Sequence, residues 1–250
     1  MEKAEAVLRP TKTLDLSKLA RTFTLRTSDG FVETFGPALL ARVEREAPGV
    51  RLRFLQKLDK DSAPLRDGAV DLETGVVGET TGPEVRMRAL FRDRFVGVVR
   101  AGHPLARGKM TPARYAAGRH AVVSRRGIER SAVDDALAAL GLERAIVTIV
   151  GGFGGALALA RASDLIATVP DRHTLGLRQG LLAFALPVPA PQVTVSMLWH
   201  PRMEADPAHR WLRGCVRDVC VAQFGEVEGR PKEGATIEAR AVHAGERRAR

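Results

Sequence analysis

Residues 146–170 read IVTIVGGFGGALALARASDLIATVP, and this stretch indicates the fold class. Its first five residues are all β-branched and four of them are apolar, which is typical of a buried strand. The glycine-rich run GGFGG at 151–155 ends that strand, small helix-forming residues continue to Ala162, and a second apolar run ends at Pro170. A strand, a glycine turn, a helix and a second strand together make one unit of an α/β fold.

The glycine turn joins a strand to a helix N-terminus, which is a common place for an anion to bind. It lacks the pattern of a nucleotide loop, because Leu157 stands where the third glycine of GxGxxG would follow Gly152 and Gly154, and no Gly-Lys-Ser/Thr is present. Two interpretations remain open. The turn is either a tight connection without a function, or a loop that lines a cleft and places Phe153 over a ligand.

The same alternation of strands and helices extends in both directions from this unit. The sequence predicts strands at residues 23–27, 50–58, 70–77, 86–90, 95–99, 120–124, 145–150, 165–169, 184–187 and 193–199. It predicts helices at residues 31–47, 62–66, 131–140, 155–162 and 206–224. The elements fall into two comparable blocks, which predicts an α/β protein with two lobes and a ligand cleft at the carboxyl ends of the strands.

The composition is that of an ordinary globular protein. Hydrophobic residues make up 45% of the 250 residues and charged residues make up 27%. No apolar run approaches the roughly 18 residues of a membrane span, and the first residues lack the apolar segment of a secretory signal, so we expect a cytoplasmic protein without membrane contact. The net charge of +10 is scattered and only 5% of residues are aromatic, which favours a solvated basic surface over a nucleic-acid interface.

Two further turns follow a predicted strand and open a helix. Ser28 and Asp29 follow the first strand, and Ser124 and Arg125 hold the corresponding place in the second block. Hydroxyl groups, a guanidinium and helix N-termini are suited to bind a carboxylate. For the first pair the alternative is a simple N-cap, and for the second pair it is an exposed surface turn. The carboxylate of Asp29 would repel an anionic ligand.

The sequence contains no recognisable catalytic set. The six histidines show no metal-binding spacing such as HExxH, there is no GxSxG motif, and the paired Asp134 and Asp135 lie at the exposed start of a predicted helix. Cys215 and Cys220 are five positions apart on one predicted helix, so their thiols point apart by roughly 140° and should stay reduced. We therefore expect no enzymatic reaction, no metal and no cofactor.

Several segments, taken in order, resemble a known family. They are FTLRTSDGF, PALLARVEREAPGVRLRF, LRDGAVDL, FRDRFVGVVRAGHPLA, HAVVSRRG, SDLIATVP and WHPRMEADPAHRWLR. Over about residues 20–222 the chain resembles the effector-binding region of LysR-type transcriptional regulators, and AEAVLRP near the start resembles the end of their linker helix.

The resemblance implies a type 2 periplasmic-binding-protein-like fold, with two α/β lobes joined by crossover strands near residues 98–102 and 197–201. The expected limits are a linker at 1–20, a first lobe at 21–100 and 201–224, a second lobe at 101–200, and a disordered tail at 225–250. The family's winged helix-turn-helix would precede residue 1, so we expect an excised or shortened chain that contacts DNA only through such a head.

The resemblance also implies that a small effector binds between the lobes and alters the geometry of a homodimer or homotetramer. The implied effector contacts are Ser28, Asp29, Gly30, Phe31, Lys57, Leu58, Gly102, Ser124, Arg125, Gly152 and Phe153. Arg125 and the helix N-termini favour a carboxylate or an aromatic acid as effector, whereas Asp29 does not.

One departure from the family concerns the strand after Leu72, where Glu73 and Thr74 interrupt an apolar run that the family usually has. Two other function classes remain as alternatives. One is a solute-binding protein of the same fold, which the missing signal sequence disfavours. The other is an enzyme on a similar two-lobed scaffold, which the missing catalytic set disfavours.

Overall fold

The computed structural model describes residues 14–78, 80–124 and 130–225 and contains two five-stranded sheets. The strands are β1 (Arg21–Thr27), β2 (Val50–Gln56), β3 (Leu72–Val76), β4 (Arg86–Asp93), β5 (Phe95–Arg100), β6 (Arg119–Val123), β7 (Ala145–Val150), β8 (Leu165–Pro170), β9 (Leu181–Ala185) and β10 (Val193–Trp199). The α-helices are α1 (Asp29–Glu46), α2 (Ala63–Arg66), α3 (Pro112–Ala116), α4 (Ala132–Ala138), α5 (Phe153–Ala162) and α6 (Pro207–Phe224).

The two sheets repeat one topology. The strand order is β2-β1-β3-β10-β4 in the first sheet and β7-β6-β8-β5-β9 in the second. In each sheet three strands run parallel, and a strand from a distant part of the sequence joins them antiparallel. An α-helix follows each of the parallel strands β1, β2, β6 and β7, and the carboxyl ends of such strands are where each sheet can hold a ligand.

The lobe limits expected from the sequence need correction at two strands. β5 pairs with β8 and β9, so it lies in the second sheet, and β10 pairs with β3 and β4, so it lies in the first sheet. The chain therefore crosses between the sheets at Arg94 and again between β9 and β10, not at 98–102 and 197–201. The alternation of side chains identifies a strand, but it does not identify the strand with which it pairs.

The core of the first sheet is aromatic and includes the last helix. Phe35 of α1 lies 5.3 Å from Phe91 of β4 and 5.7 Å from Phe224 of α6, measured between ring centroids. Cys215 and Cys220 of α6 are buried in this core as free thiols, and burial raises their pKa values to about 11 and about 12. The last helix thus packs against the first sheet, and its two cysteines serve as small apolar side chains.

The second sheet carries a buried polar group beside its apolar core. The Tyr115 hydroxyl contacts the Thr168 hydroxyl at 2.6 Å and accepts a hydrogen bond from Arg144 at 3.2 Å. Arg144 pairs with Asp134 at 2.7 Å, and Asp134 accepts a hydrogen bond from the Ser131 amide at 2.8 Å. This last contact confirms the capping box expected at the start of α4.

Two expectations lie outside the described residues. These are most of the linker at 1–20 and the tail beyond residue 225. The strand expected at 70–77 is present as β3, which continues through Glu73 and Thr74 although both are polar. The strand persists because Glu73 is paired with two cations and Thr74 contacts the Thr27 hydroxyl.

Candidate functional site

The helices that follow β1 and β7 begin close to each other, between the two sheets. Residues from the first sheet and from the second meet there, and we call this set the cleft group. Its members are Ser28, Asp29, Gly30, Gly152, Phe153, Gly154 and His173. Of the eleven residues expected to contact an effector, five belong to this group.

Ser28 holds the N-terminus of α1 and also reaches the other lobe. Its hydroxyl oxygen accepts a hydrogen bond from the Phe31 amide at 3.2 Å, which is the N-cap contact expected for serine. The same hydroxyl makes a hydrogen bond with Nε2 of His173, in the segment after β8. The two interpretations made from the sequence, an N-cap and a residue of the cleft, are therefore compatible.

Asp29 crosses between the lobes to the start of α5. Its Oδ2 accepts a hydrogen bond from the Gly154 amide at 2.8 Å. Its Oδ1 is buried and has no hydrogen-bond partner in the described part of the chain. The helix N-terminus that could bind an anion is thus already in contact with a carboxylate of the protein itself.

Two glycines permit this close approach. A Cβ on Gly30 would lie 2.6 Å from the carbonyl oxygen of His173, and a Cβ on Gly152 would lie 2.6 Å from Oδ2 of Asp29. Both distances are shorter than side-chain carbons tolerate, so any other residue would push the lobes or the carboxylate apart. The glycine turn of the second lobe therefore accommodates a side chain of the first lobe.

The two phenylalanines of the expected site differ in burial. Phe31 is 1% exposed and stacks on Phe35 with ring centroids 4.7 Å apart, so it belongs to the core of the first lobe. Phe153 is partly buried as the first residue of α5, and its ring lies 6.0 Å from the ring of His173. Phe153 is the better placed of the two to touch a ligand.

At the end of β2 the buried residue is Lys57, while its neighbour Leu58 is 59% exposed. The Lys57 ammonium lies 2.6 Å from one oxygen of Glu73, and Nε of Arg26 lies 2.7 Å from the other. Burial lowers the pKa of Lys57, and the negative charge of Glu73 opposes that change. Leu58 is not in the cleft group. Arg26 also pairs with Asp59 at 3.2 Å, so the two cations beneath this edge of the first sheet face two carboxylates.

Gly102 lies away from the cleft group, which corrects its assignment as an effector contact. β5 is antiparallel to β8, so Phe95 lies beside Pro170 at the carboxyl end of β8. Gly102 follows the opposite end of β5, about 20 Å further along the strand. Its φ of +76° shows that glycine is needed there for a turn.

The remaining expected contacts follow β6. Ser124 is partly buried, and its amide donates to the Val150 carbonyl at 2.9 Å, which continues the pairing of β6 with β7. This position is the carboxyl end of a parallel strand, as the sequence predicts. Arg125 lies outside the described residues.

His173 was not predicted from the sequence; it is 6% exposed and lies at the centre of the cleft group. The carboxylate of Asp93, at the end of β4, accepts hydrogen bonds from the amides of Arg94, Arg172 and His173 at 2.8, 2.9 and 2.8 Å. Burial raises the pKa of Asp93, although the three amides oppose that change. The signal was present, because His173 follows the third parallel strand of the second block, where ligand contacts are expected.

Neither a metal centre nor a membrane span is found among the described residues. They contain no cluster of three or more histidine, cysteine or acidic side chains that could hold a metal ion. Across the same residues, every helix is too short or too polar to pass through a bilayer.

Comparison with known proteins gives a consistent result. Residues 17–221 match the family described as LysR substrate binding domain. The chain is 30% identical to the HTH-type transcriptional activator NagR of Ralstonia sp. over 200 residues, which are 77% of this chain and 65% of NagR. The chain thus spans slightly less than two thirds of the length of that relative.

Solved structures resemble it over most of its length. A putative transcriptional regulator from Vibrio parahaemolyticus is 30% identical with a TM-score of 0.71, covering 84% of this chain and 98% of that one. The regulatory domain of MexT, a transcriptional activator in Pseudomonas aeruginosa, is 28% identical with a TM-score of 0.68, covering 80% and 98%. These matches confirm the expected two-lobed, periplasmic-binding-protein-like α/β fold. The relatives are regulators of transcription, which agrees with the expectation that the chain is not an enzyme.

Proposed function

The chain belongs to the LysR substrate-binding domain family and is a regulatory domain of the LysR type, and from this premise we propose that it senses a small-molecule effector between its two lobes. The effector binds at the cleft group and changes the angle between the sheets. A ligand shifts such an equilibrium only by its difference in affinity for the two states, so it must contact both lobes.

The observation that supports this proposal is the set of polar contacts between the lobes. Ser28 and Asp29 at the start of α1 contact His173 and Gly154 of the second lobe. Thr34, one turn further along α1, donates to the carbonyl of His173 at 3.2 Å. A ligand that entered here would replace contacts of both lobes at once.

The contact between Asp29 and Gly154 bears on the chemistry of the effector. A carboxylate or an aromatic acid would take the place of Asp29 at the Gly154 amide, and its ring would rest against Phe153. An effector with a hydrogen-bond donor would instead leave Asp29 in place and satisfy its unpaired Oδ1. We propose the acid as the effector class, with displacement of Asp29 as the step that changes the lobe angle.

A thermal-shift screen tests the proposal. The panel contains small carboxylates, aromatic acids, amines and neutral metabolites. An effector that binds the folded chain raises Tm, because at 100 times its dissociation constant it adds about 2.7 kcal/mol to the free energy of unfolding. We expect an acid to bind, to remain chemically unchanged, and to lose affinity in Phe153→Ala and Ser124→Ala.

Leu159→Ala is the matched control, because Leu159 is exposed on the same helix as Phe153 and does not belong to the cleft group. It should retain the affinity of the native chain. Binding that neither Phe153→Ala nor Ser124→Ala weakens, or a panel in which nothing binds, contradicts an effector site in the cleft.

We propose that the whole protein acts in the cytoplasm as a homodimer or homotetramer, and that it contacts DNA through a winged helix-turn-helix outside this region. The family match and the share of NagR that the chain covers support this arrangement. Sedimentation velocity with and without the effector measures whether the assembly changes. An unchanged assembly would contradict control by subunit geometry.

A further inference from the structure

A cavity lies at the hinge, where the chain crosses between the sheets. It has a volume of about 330 Å³ and is lined by Arg92, Asp93, Arg94, Asp171, Arg172 and Gln192. These residues come from the end of β4, the crossing to β5, the segment after β8 and the segment before β10. We call this space the hinge cavity.

The hinge cavity holds more positive than negative charge. Among the described residues, Arg92 and Arg172 have no carboxylate partner, and the Arg172 guanidinium lies 5.0 Å from the centre of the Phe224 ring. Asp171 is shared, because its Oδ2 accepts from Arg94 at 3.2 Å and its Oδ1 from Arg178 at 2.7 Å. One shared carboxylate therefore faces three lining guanidinium groups.

The second acidic residue of the cavity, Asp93, forms no ion pair with the lining guanidinium groups among the described residues. The two oxygens of Asp93 are occupied by the amides of Arg94, Arg172 and His173, and the residue is 3% exposed. Asp93 thus fixes the backbone of the hinge, and the guanidinium groups of Arg92 and Arg172 remain available to a ligand. A planar guanidinium binds oxyanions through two parallel hydrogen bonds, which makes arginine suited to phosphate and carboxylate groups.

We propose that the hinge cavity is a second ligand site, which binds a small oxyanion, a phosphate or a polycarboxylate, between Arg92, Arg94 and Arg172. The volume suits a compact metabolite. The site is distinct from the cleft group in chemistry, because the cleft group contributes a carboxylate through Asp29 whereas the hinge cavity contributes guanidinium groups.

The position of the site couples it to the lobe angle. Arg92 belongs to a strand of the first sheet, and Arg172 is the second residue after a strand of the second. An anion held by both joins the sheets at the hinge. Arg172 is also the neighbour of His173, which contacts Ser28 in the cleft group. A bound anion therefore favours one lobe angle. Because Arg172 is adjacent to His173, binding at the hinge cavity also affects the position of the cleft group.

Isothermal titration of the native chain with inorganic phosphate and with citrate, at constant ionic strength, tests the proposal. The variants are Arg92→Gln and Arg172→Gln, and the control is Arg88→Gln. Arg88 is exposed on the same strand as Arg92, does not line the cavity, and gives the same change in net charge. Circular dichroism verifies that each variant is folded.

We expect one anion to bind saturably at one site per chain. Each of Arg92→Gln and Arg172→Gln should weaken binding about tenfold or more, the loss expected for charge-assisted hydrogen bonds, and Arg88→Gln less than about twofold. Binding of phosphate alone identifies a phosphoryl ligand, and binding of citrate alone identifies a polycarboxylate. The proposal is overturned if neither anion saturates a site, or if Arg88→Gln weakens binding as much as the cavity variants.

Discussion

The two helices that begin at the cleft are capped in different ways. The N-terminus of α1 is capped locally by the hydroxyl of Ser28, at 3.2 Å from the Phe31 amide. The N-terminus of α5 begins at Gly152, which has no side chain, and the Gly154 amide is bonded by Asp29 of the other lobe. The cap of α1 thus comes from its own lobe, whereas the side-chain cap of α5 comes from the other lobe and forms only when the two lobes are in contact.

The two lobes also differ in the residues at the strand ends beneath these helices. The first lobe buries the ionic group of Arg26, Lys57 and Glu73, which is paired within that lobe. The second lobe contributes glycine backbone at the corresponding place. The first lobe thus presents charged side chains that are paired within that lobe, whereas the second lobe presents backbone amides.

The largest effect is expected from Glu73→Gln. The substitution leaves the cations of Arg26 and Lys57 buried without their shared carboxylate, which should cost about 3–5 kcal/mol of unfolding free energy. Lys57→Met should cost less, because it leaves the pair of Arg26 and Glu73 intact. Urea unfolding at neutral pH measures both values. Equal losses of unfolding free energy in the two variants would show that the stability of this ionic group does not depend on the shared carboxylate of Glu73.

Acid should weaken the second lobe through His120. This side chain is fully buried, its Nε2 hydrogen-bonds the Tyr115 carbonyl at 2.9 Å, and burial lowers its pKa from 6.5 to about 4. The unfolded chain therefore binds a proton between about pH 6.5 and 4 that the folded chain does not bind. Stability should fall across this window as pH decreases, by up to about 3 kcal/mol.

The variant His120→Gln tests that prediction, because it retains an amide near the Tyr115 carbonyl and cannot titrate in this range. Urea unfolding between pH 7 and pH 4 should give a flatter profile for the variant than for the native chain. Parallel profiles would mean that His120 does not contribute to the acid sensitivity of the second lobe.

Gly152→Ala should disturb the contact between the lobes. A Cβ there would lie 2.6 Å from Oδ2 of Asp29, so the carboxylate must leave the Gly154 amide, at a cost of about 1–2 kcal/mol. Gly151→Ala is the matched control, because nothing lies within 4 Å of the added carbon. Thermal unfolding measures the difference, and similar values for both would argue against a cap supplied across the cleft.

The smallest effect is expected from Ser28→Ala, at about 1 kcal/mol for the loss of an N-cap. Thr111→Ala should cost about as much, because the Thr111 hydroxyl accepts from the Arg114 amide at 3.3 Å and caps α3 within the second lobe. Only Ser28→Ala should also alter effector affinity, since Ser28 contacts His173. If the effector binds both variants with equal affinity, Ser28 acts only as the N-cap of α1 and does not contribute to the effector site.

Most elements of the fold could be predicted from the sequence. Val193–Trp199 and Ala145–Val150 have the predicted limits, because alternating and β-branched residues encode a strand locally. The short helix Pro112–Ala116 was not predicted, since five residues give too few turns for a helical period. Within the candidate site, Ser28 and Gly152 were found because each lies where a strand ends and a helix begins.

Which elements meet depends on the packing of the two sheets. The tertiary structure placed Phe95–Arg100 in the second sheet, removed Gly102 from the site, and brought in His173. The sequence alone therefore determined the order of strands and helices and the resemblance to a family, because these depend on residues within a few positions of one another. The Asp29–Gly154 and Ser28–His173 contacts join residues 125 and 145 positions apart, and such pairings depend on how the two sheets pack.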